Sequence, residues 1–187
     1  MKKLWFTAAL LVAGLVLSAC NKLTSYSISE QQINSYLEKH SQFEKQIGVP
    51  GLVDARITLS QLSSQIGRSE PNTITLSGHA NVAISSILGP QQSELTLTLR
   101  AKPVYQREQG AIYLRDLTLV DYQVQPQKME TIMKALAPYL NQSLRTYFDQ
   151  EPAYVLNPEK SNAEALARKL AKGLEVKPGE LVIPLTD

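Results

Sequence analysis

The sequence predicts an α+β domain in which a four-stranded antiparallel meander with one apolar face packs against a long amphipathic helix, with shorter helices around it. Three observations carry this prediction. Through the middle of the chain apolar and polar residues alternate with period two, the pattern of half-buried antiparallel strands. Turn residues break that run at Gly67–Asn72, Gly89-Pro90 and Glu108-Gln109-Gly110. After Pro126 the apolar residues take helical spacing. Met129, Ile132, Met133, Leu136, Leu140, Leu144 and Tyr147 fall within an arc of about 120° at 100° per residue.

The chain opens with an address. Lys2 and Lys3 precede an apolar run from Leu4 to Leu17, interrupted by Thr7 and Gly14 and followed by Ser18, Ala19 and Cys20. A membrane span needs about 20 apolar residues, so this shorter run with a basic start and small residues after it is a secretory signal. Leu17-Ser18-Ala19-Cys20 also resembles the bacterial lipobox. That resemblance implies cleavage before Cys20, a lipid on its sulfur, and acylation of the new amine by a fatty acid such as palmitate. By the same resemblance, to enterobacterial lipoproteins, Asn21 in the following position implies the outer membrane, on its periplasmic face. The expected division is a removed signal peptide over 1–19, a polar lipidated tether over 20–27, and one domain over 28–187.

Composition narrows the functions. Removing 19 of the 187 residues leaves 168, enough for one domain with a sizeable core. Loss of Lys2 and Lys3 takes the formal charge from +2 to neutral, which gives no general pull toward nucleic acid or anionic lipid. Cys20 is the only cysteine, so neither an intramolecular disulfide nor a cysteine-built zinc site is available. His40 and His79 are the only histidines, too few for a histidine-rich metal site, and no metal or cofactor is expected.

The first helix is announced by Ser29 and Gln32 at capping-box spacing, and by Ile28 and Ile33 at the two positions of a hydrophobic staple. Ile33, Tyr36 and Leu37 give it an apolar face, extended toward His40 and Phe43, and Gly48, Pro50 and Gly51 are expected to end it. Strands follow. Val53, Ala55, Ile57 and Leu59 share one parity; so do Ile74, Leu76, Gly78, Ala80, Val82 and Ile84, and then Leu95, Leu97, Leu99 and Ala101. In the fourth segment, Ala111 to Val124, parity switches near Asp116, which calls for a bulge or a strand covered on both faces. The long helix to about Asp149 would span roughly 35 Å, and Pro138 should kink or split it. Ala153–Leu156 reads as an edge strand between prolines. Ser161 and Glu164 begin a third helix, with another capping box, that carries Leu166 and Leu170 and stops at Gly173. Leu174–Val176 and Leu181–Leu185 form a final hairpin around Lys177-Pro178-Gly179.

A search for chemistry finds no G-x-S-x-G elbow, P-loop or H-E-x-x-H. His40 reads as a helix-surface residue, and His79 lies on the polar face of a strand. Asp54, Asp116 and Asp121 read as solvated strand charges that nothing brings together. An enzyme would need clustered carboxylates or a histidine in a cleft, so no catalytic residue is expected. Arg168, Lys169, Lys172 and Lys177 form a modest basic cluster able to meet phosphate headgroups, although the interspersed Glu164, Glu175 and Glu180 point to a solvated helix face. Gly78 and Ala80 leave space midway along a bulky strand face, to be filled by a helix or by a ligand. Met129 and Met133 suit an adaptable groove or a plain core stripe.

The lipobox, the capped Ser29-Glu30-Gln31-Gln32-Ile33 helix with Tyr36-Leu37, the meander, the long helix, and Tyr154-Val155-Leu156-Asn157-Pro158 together resemble the YceB-type enterobacterial lipoproteins along the whole chain. The fold of that family is similar to the TULIP group, in which a strongly curved antiparallel sheet wraps a long helix around an apolar groove for lipids. The resemblance implies a non-catalytic, outer-membrane-anchored periplasmic protein holding a lipid or fatty-acid ligand. It assigns no site residues. Periodicity supplies a candidate lining: Ile74, Leu76, Gly78, Ala80, Leu97, Leu99, Met129, Ile132, Met133, Leu136 and Leu140. The competing expectation is an envelope interaction protein with a closed core and a protein partner of unspecified kind.

Overall fold

Four long strands set the architecture of the computed structural model, which describes residues 24–49, 53–86 and 89–186. The predicted signal peptide and Cys20 lie outside the described residues. The strands β3 (Val53–Ile66), β4 (Ile74–Ser86), β5 (Gly89–Gln106) and β6 (Ala111–Gln125) pair antiparallel in sequence order, as the meander requires. Alternation decides which face is buried. Ala55, Ile57 and Leu59, then Leu76, Ala80 and Val82, then Leu95, Leu97 and Leu99 all point into one core.

Two elements complete the sheet at its edges. At one edge β2 (Glu44–Val49) pairs with β3. The sequence pattern extends the first helix toward Phe43, with Gly48 as its expected end. The helix α1 (Glu30–His40) instead stops at Ser41, whose N–H donates to the Leu37 carbonyl, and Phe43 is buried at the entrance of a strand. At the other edge the short β7 (Tyr154–Val155) pairs with β6, as expected of a strand between prolines. The order is β2-β3-β4-β5-β6-β7.

The long helix α2 (Glu130–Gln150) is preceded by a 3₁₀ turn at Gln127–Met129 and runs without interruption through Pro138. Its buried stripe is Met133, Leu136, Leu140, Leu144 and Phe148. Phe148 was missed, while Tyr147, its predicted neighbour on the stripe, is half-buried. The α2 backbone closely approaches both β6 and β2, the fifth and first strands of the sheet. Strands lie about 4.8 Å apart, so in a flat sheet these two would be separated by roughly 19 Å, with the helix about 10 Å above. The helix is long enough to lie across that width, but the backbones of β3, β4 and β5 keep farther from it than those of β2 and β6, so the middle of the sheet bows away and its sides curl around α2. The strongly curved sheet wrapped on a long helix is therefore what the chain forms.

Bulges supply part of the curvature. In β3 the register slips between Ser60 and Ser63, with Gln61 at positive φ. In β6 it slips at Asp116, also at positive φ, and again near Val120. The first β6 bulge brings Leu117 back to the core, and Ala111–Leu114 is buried on both faces. Both explanations of the parity switch hold, each in its own part of the strand.

A second sheet joins the chain ends. β1 (Ser25–Ser29) pairs antiparallel with β9 (Glu180–Pro184), which forms the expected hairpin with β8 (Glu175–Lys177). The predicted tether is accordingly shorter: Ser25, Tyr26 and Ser27 belong to a strand because β9 offers them a free edge. The α1 capping box is present, with Gln32 N–H donating to Ser29 Oγ and Ser29 N–H donating to Gln32 Oε1. Helix α3 (Asn162–Leu170) starts at Ser161 as expected but buries Glu164 and Ala167, leaving Leu166 and Leu170 each 42% exposed.

Candidate functional site

The predicted lining is brought together, but as packed core. Ile74, Leu76, Leu97, Leu99, Met129, Met133, Leu136 and Leu140 are 0–1% exposed, Gly78 and Ala80 are also buried, and only Ile132 is half-buried. Of the two alternatives that the periodicity leaves open, groove and core, this arrangement is the closed one. The stripe of α2 lies directly on the concave face of the sheet, and large side chains fill the space between.

The gap over Gly78 has a different occupant from either one expected. A Cβ at Gly78 would sit 2.8 Å from Leu62 Cδ2 and 3.5 Å from Leu59 Cδ1. Both leucines belong to neighbouring β3, and the bulge between them redirects Leu62 inward. Neither a helix nor a ligand is needed there.

How α2 is fastened matters for what the interior can do. Among the described residues its polar ties lie in its C-terminal half. Leu119 N–H donates to Asn141 Oδ1 at 2.7 Å, Gln42 N–H donates to the Tyr147 hydroxyl at 3.0 Å, and Arg115 donates to the Asp149 carboxylate at 3.0 Å. Phe43 meets Tyr147 edge-on, which pins the same end to β2. Toward the end of β6 that leads into the helix, Tyr122 and Val124 are half-buried like Ile132, and on neighbouring β5 the Ser93 hydroxyl, 4% exposed, has no hydrogen-bond partner among the described residues.

A polar cluster fastens α3 to β1 and to the Tyr154–Pro158 segment. The Glu164 side chain is 1% exposed, and its carboxylate accepts from the Tyr26 and Tyr154 hydroxyls at 3.0 Å each, Asn157 N–H at 2.7 Å and Lys160 Nζ at 3.1 Å. Burial works to raise its pKa, but these donors together outweigh burial and hold it below the usual carboxylate value. Burial, with the neighbouring carboxylate, pushes Tyr154 up to about 12 and Tyr26 higher still. Sequence reading saw in Glu164 the second half of a capping box. Ser161 Oγ does accept from Glu164 N–H, but the carboxylate turns inward. Two residues of the Tyr154–Pro158 motif, Tyr154 and Asn157, are its ligands.

Beside this cluster an open cleft of about 820 Å³ lies between α1 and the Tyr154–Pro158 segment, lined in part by Tyr36, Lys39, His40, Lys160 and Arg168. His40 is exposed, stacks on Tyr36 at 4.1 Å, and has Nδ1 2.8 Å from the Tyr36 carbonyl, so Nδ1 carries the proton in that bond. His79 is exposed on the outer face of the sheet. Asp54, Asp116 and Asp121 are exposed, and Asp116 pairs with Lys102 at 3.1 Å. Among the described residues no group of three or more His, Cys, Asp or Glu is placed to hold a metal ion, and no helix is long and apolar enough to cross a membrane.

Comparison with known proteins adds the following. Residues 28–180 match the family described as "Protein of unknown function (DUF1439)". Three proteins called "Uncharacterized lipoprotein YceB", from Escherichia coli K12, Shigella flexneri and Salmonella typhimurium, are each 56% identical over the whole of both chains. A solved structure titled "Crystal structure of lipopolysaccharide binding protein" aligns with 87% of this chain and 49% of its own, about half its length, at 10% identity and a TM-score of 0.30, too distant to support an argument. With a family match across most of its length and full-length relatives at this identity, the chain belongs to the DUF1439 family, alongside the YceB lipoproteins of enterobacteria.

Proposed function

We propose that this protein is anchored through acyl groups on Cys20 to the periplasmic face of the outer membrane, and that it binds a lipid or other long apolar molecule between its curved sheet and α2, without catalysis. The observation that carries the reading is how α2 meets the sheet. Its backbone closely approaches the rim strands β2 and β6, while large apolar side chains fill the interior between. Moving α2 outward turns the core into a trough whose walls are already apolar. The ties at Asn141, Tyr147 and Asp149 make its N-terminal half the part that moves.

Magnitudes make such an exchange feasible. Burying an acyl chain of about 16 carbons returns roughly 13 kcal/mol at about 0.8 per CH₂. Exposing Met133, Leu136 and Leu140, the buried side chains of the half that moves, costs about 5–9 kcal/mol, and the helix re-covers part of the ligand. A single acyl chain offsets that exchange.

A packed interior also favours a second reading, an envelope interaction lipoprotein, because all the predicted lining residues except Ile132 are buried. One experiment separates the two. The soluble Asn21–Asp187 form is exported, purified without detergent and examined by native mass spectrometry with organic extraction. Lipid binding predicts a stoichiometric lipid-mass adduct, retained in Leu136→Ala, which enlarges the interior, and lost in folded Leu136→Trp, which fills it. An empty, folded monomer that also takes up no fluorescent fatty acid or phospholipid refutes the binding reading and leaves the interaction reading.

A further inference from the structure

We propose that the outer face of α3 is a membrane-docking surface, which lays this end of the domain on the phospholipid surface that carries its anchor. The inference rests on the anchoring of Cys20 proposed above. Its starting point is the placement of Leu166 and Leu170. They lie one turn apart, each 42% exposed, on a flank of α3 about 120–160° round the helix from Glu164, with exposed Lys169 between them in sequence.

What covers this face is indicated by where the chain leaves the domain. The Thr24 carbonyl accepts from Leu185 N–H, and the Pro184 carbonyl accepts from Lys172 N–H, both at 2.9 Å. The C-terminal end of α3 therefore sits beside the first described residue of the chain. Thr24 is only four residue steps from Cys20, a reach of at most about 14 Å. That is little more than the 10–12 Å diameter of a helix with its side chains. A lipid on Cys20 thus holds the end of α3 at the bilayer surface whatever course those residues take.

Charge complements the placement. Arg107 is exposed and donates to the Ala171 carbonyl, so the β5–β6 turn adds a cation beside Lys169 and the exposed Lys172. The acidic residues that made this cluster look solvated in the sequence do not all offset it here. The Glu164 carboxylate is turned into the domain; Glu175 faces and offsets Lys177 at 3.9 Å, and exposed Glu108 follows Arg107, so the cation set directly on this face is Lys169. A short helix face with two leucines and flanking lysines suits the boundary between headgroups and acyl chains. Each cation near an anionic surface strengthens partitioning about fivefold.

The test uses the full lipidated chain in vesicles of phosphatidylethanolamine with phosphatidylglycerol. Since Cys20 is occupied by lipid, a cysteine at Leu170 or Val120 accepts a single environment-sensitive probe; Val120 is 50% exposed and lies on β6 in the other sheet. Docking predicts at least twofold stronger quenching by bromolipids at position 170 than at 120. It also predicts loss of that difference when Leu166→Ser and Lys169→Glu are combined, with unchanged thermal unfolding, and weakening in high salt. Equal quenching at both positions overturns the docking inference while anchoring stands. An unmodified Cys20, read by mass, overturns both. A probe at 170 shielded from an aqueous quencher but not reached by bromolipid reports a second copy of the chain on this face and also overturns the proposal.

Discussion

Replacing Glu164 with glutamine should cost far more stability than a change of one atom suggests. The carboxylate receives four donors, from Tyr26, Tyr154, Asn157 and Lys160, and offers none in return. Glutamine keeps one acceptor and turns the other position into a donor. If its oxygen stays toward the two tyrosines, its amide faces the Asn157 N–H, donor against donor. If it flips, its amide faces the Lys160 ammonium, and both hydroxyls must turn round to accept. A charge-assisted hydrogen bond of this kind contributes about 1.5–3 kcal/mol. The Lys160 side chain is 53% exposed, so its pairing adds at most about 1 kcal/mol. The expected cost of Glu164→Gln is about 2–4 kcal/mol, a fall in Tm of roughly 5–15 °C for a chain of this size.

Urea unfolding checks this, with the midpoint falling at unchanged slope. The dependence on pH gives an independent reading. Glu164 has a pKa lowered from 4.5 in the folded chain, so its stabilisation is present above about pH 4.5 and is lost as pH falls through the depressed value. The variant should lose less stability than the parent between neutral and strongly acidic pH. A cost under about 0.5 kcal/mol, or identical acid limbs, would show that the cluster is not the fastening described here.

Two further outcomes follow. Tyr154, pushed up to about 12 by burial and by Glu164, contributes stability that is intact below the ordinary tyrosine value of 10.0 and is lost as pH rises toward 12. Phenolate absorbance should therefore show Tyr154 ionising only in that range or together with unfolding; normal titration near 10 in the folded chain would contradict its placement. Gly78→Ala puts a methyl group 2.8 Å from the flexible end of Leu62, which can shift, so the cost should stay within about 1 kcal/mol in urea unfolding. A loss beyond about 3 kcal/mol would mean that Leu62 is rigidly held.

Much of the fold was legible in the sequence because it is written in local periodicity. Period two marked β3 to β6, helical spacing marked α2, and the Ser29 and Ser161 hydroxyls marked where α1 and α3 begin. What failed was decided by distant partners. Ser25–Ser27 looks like a polar linker until β9 offers it an edge, and Glu44–Val49 becomes a strand because β3 needs a neighbour. Leu166 and Leu170 look like core residues, yet the buried side of α3 is the one carrying Glu164, whose partners Tyr26 and Tyr154 come from opposite ends of the chain. No local pattern encodes such a pairing.

The same division runs through the candidate site. The sequence alone determined which residues are apolar and which face they share, since alternation and helical spacing are properties of neighbours along the chain. Whether that face is a groove or a core depends on the distance between a helix and a sheet, and only the tertiary structure decided it. Bulges at Gln61 and Asp116 help curl the sheet, the curl brings β2 and β6 to the same helix, and the stripe of α2 then fills the space between.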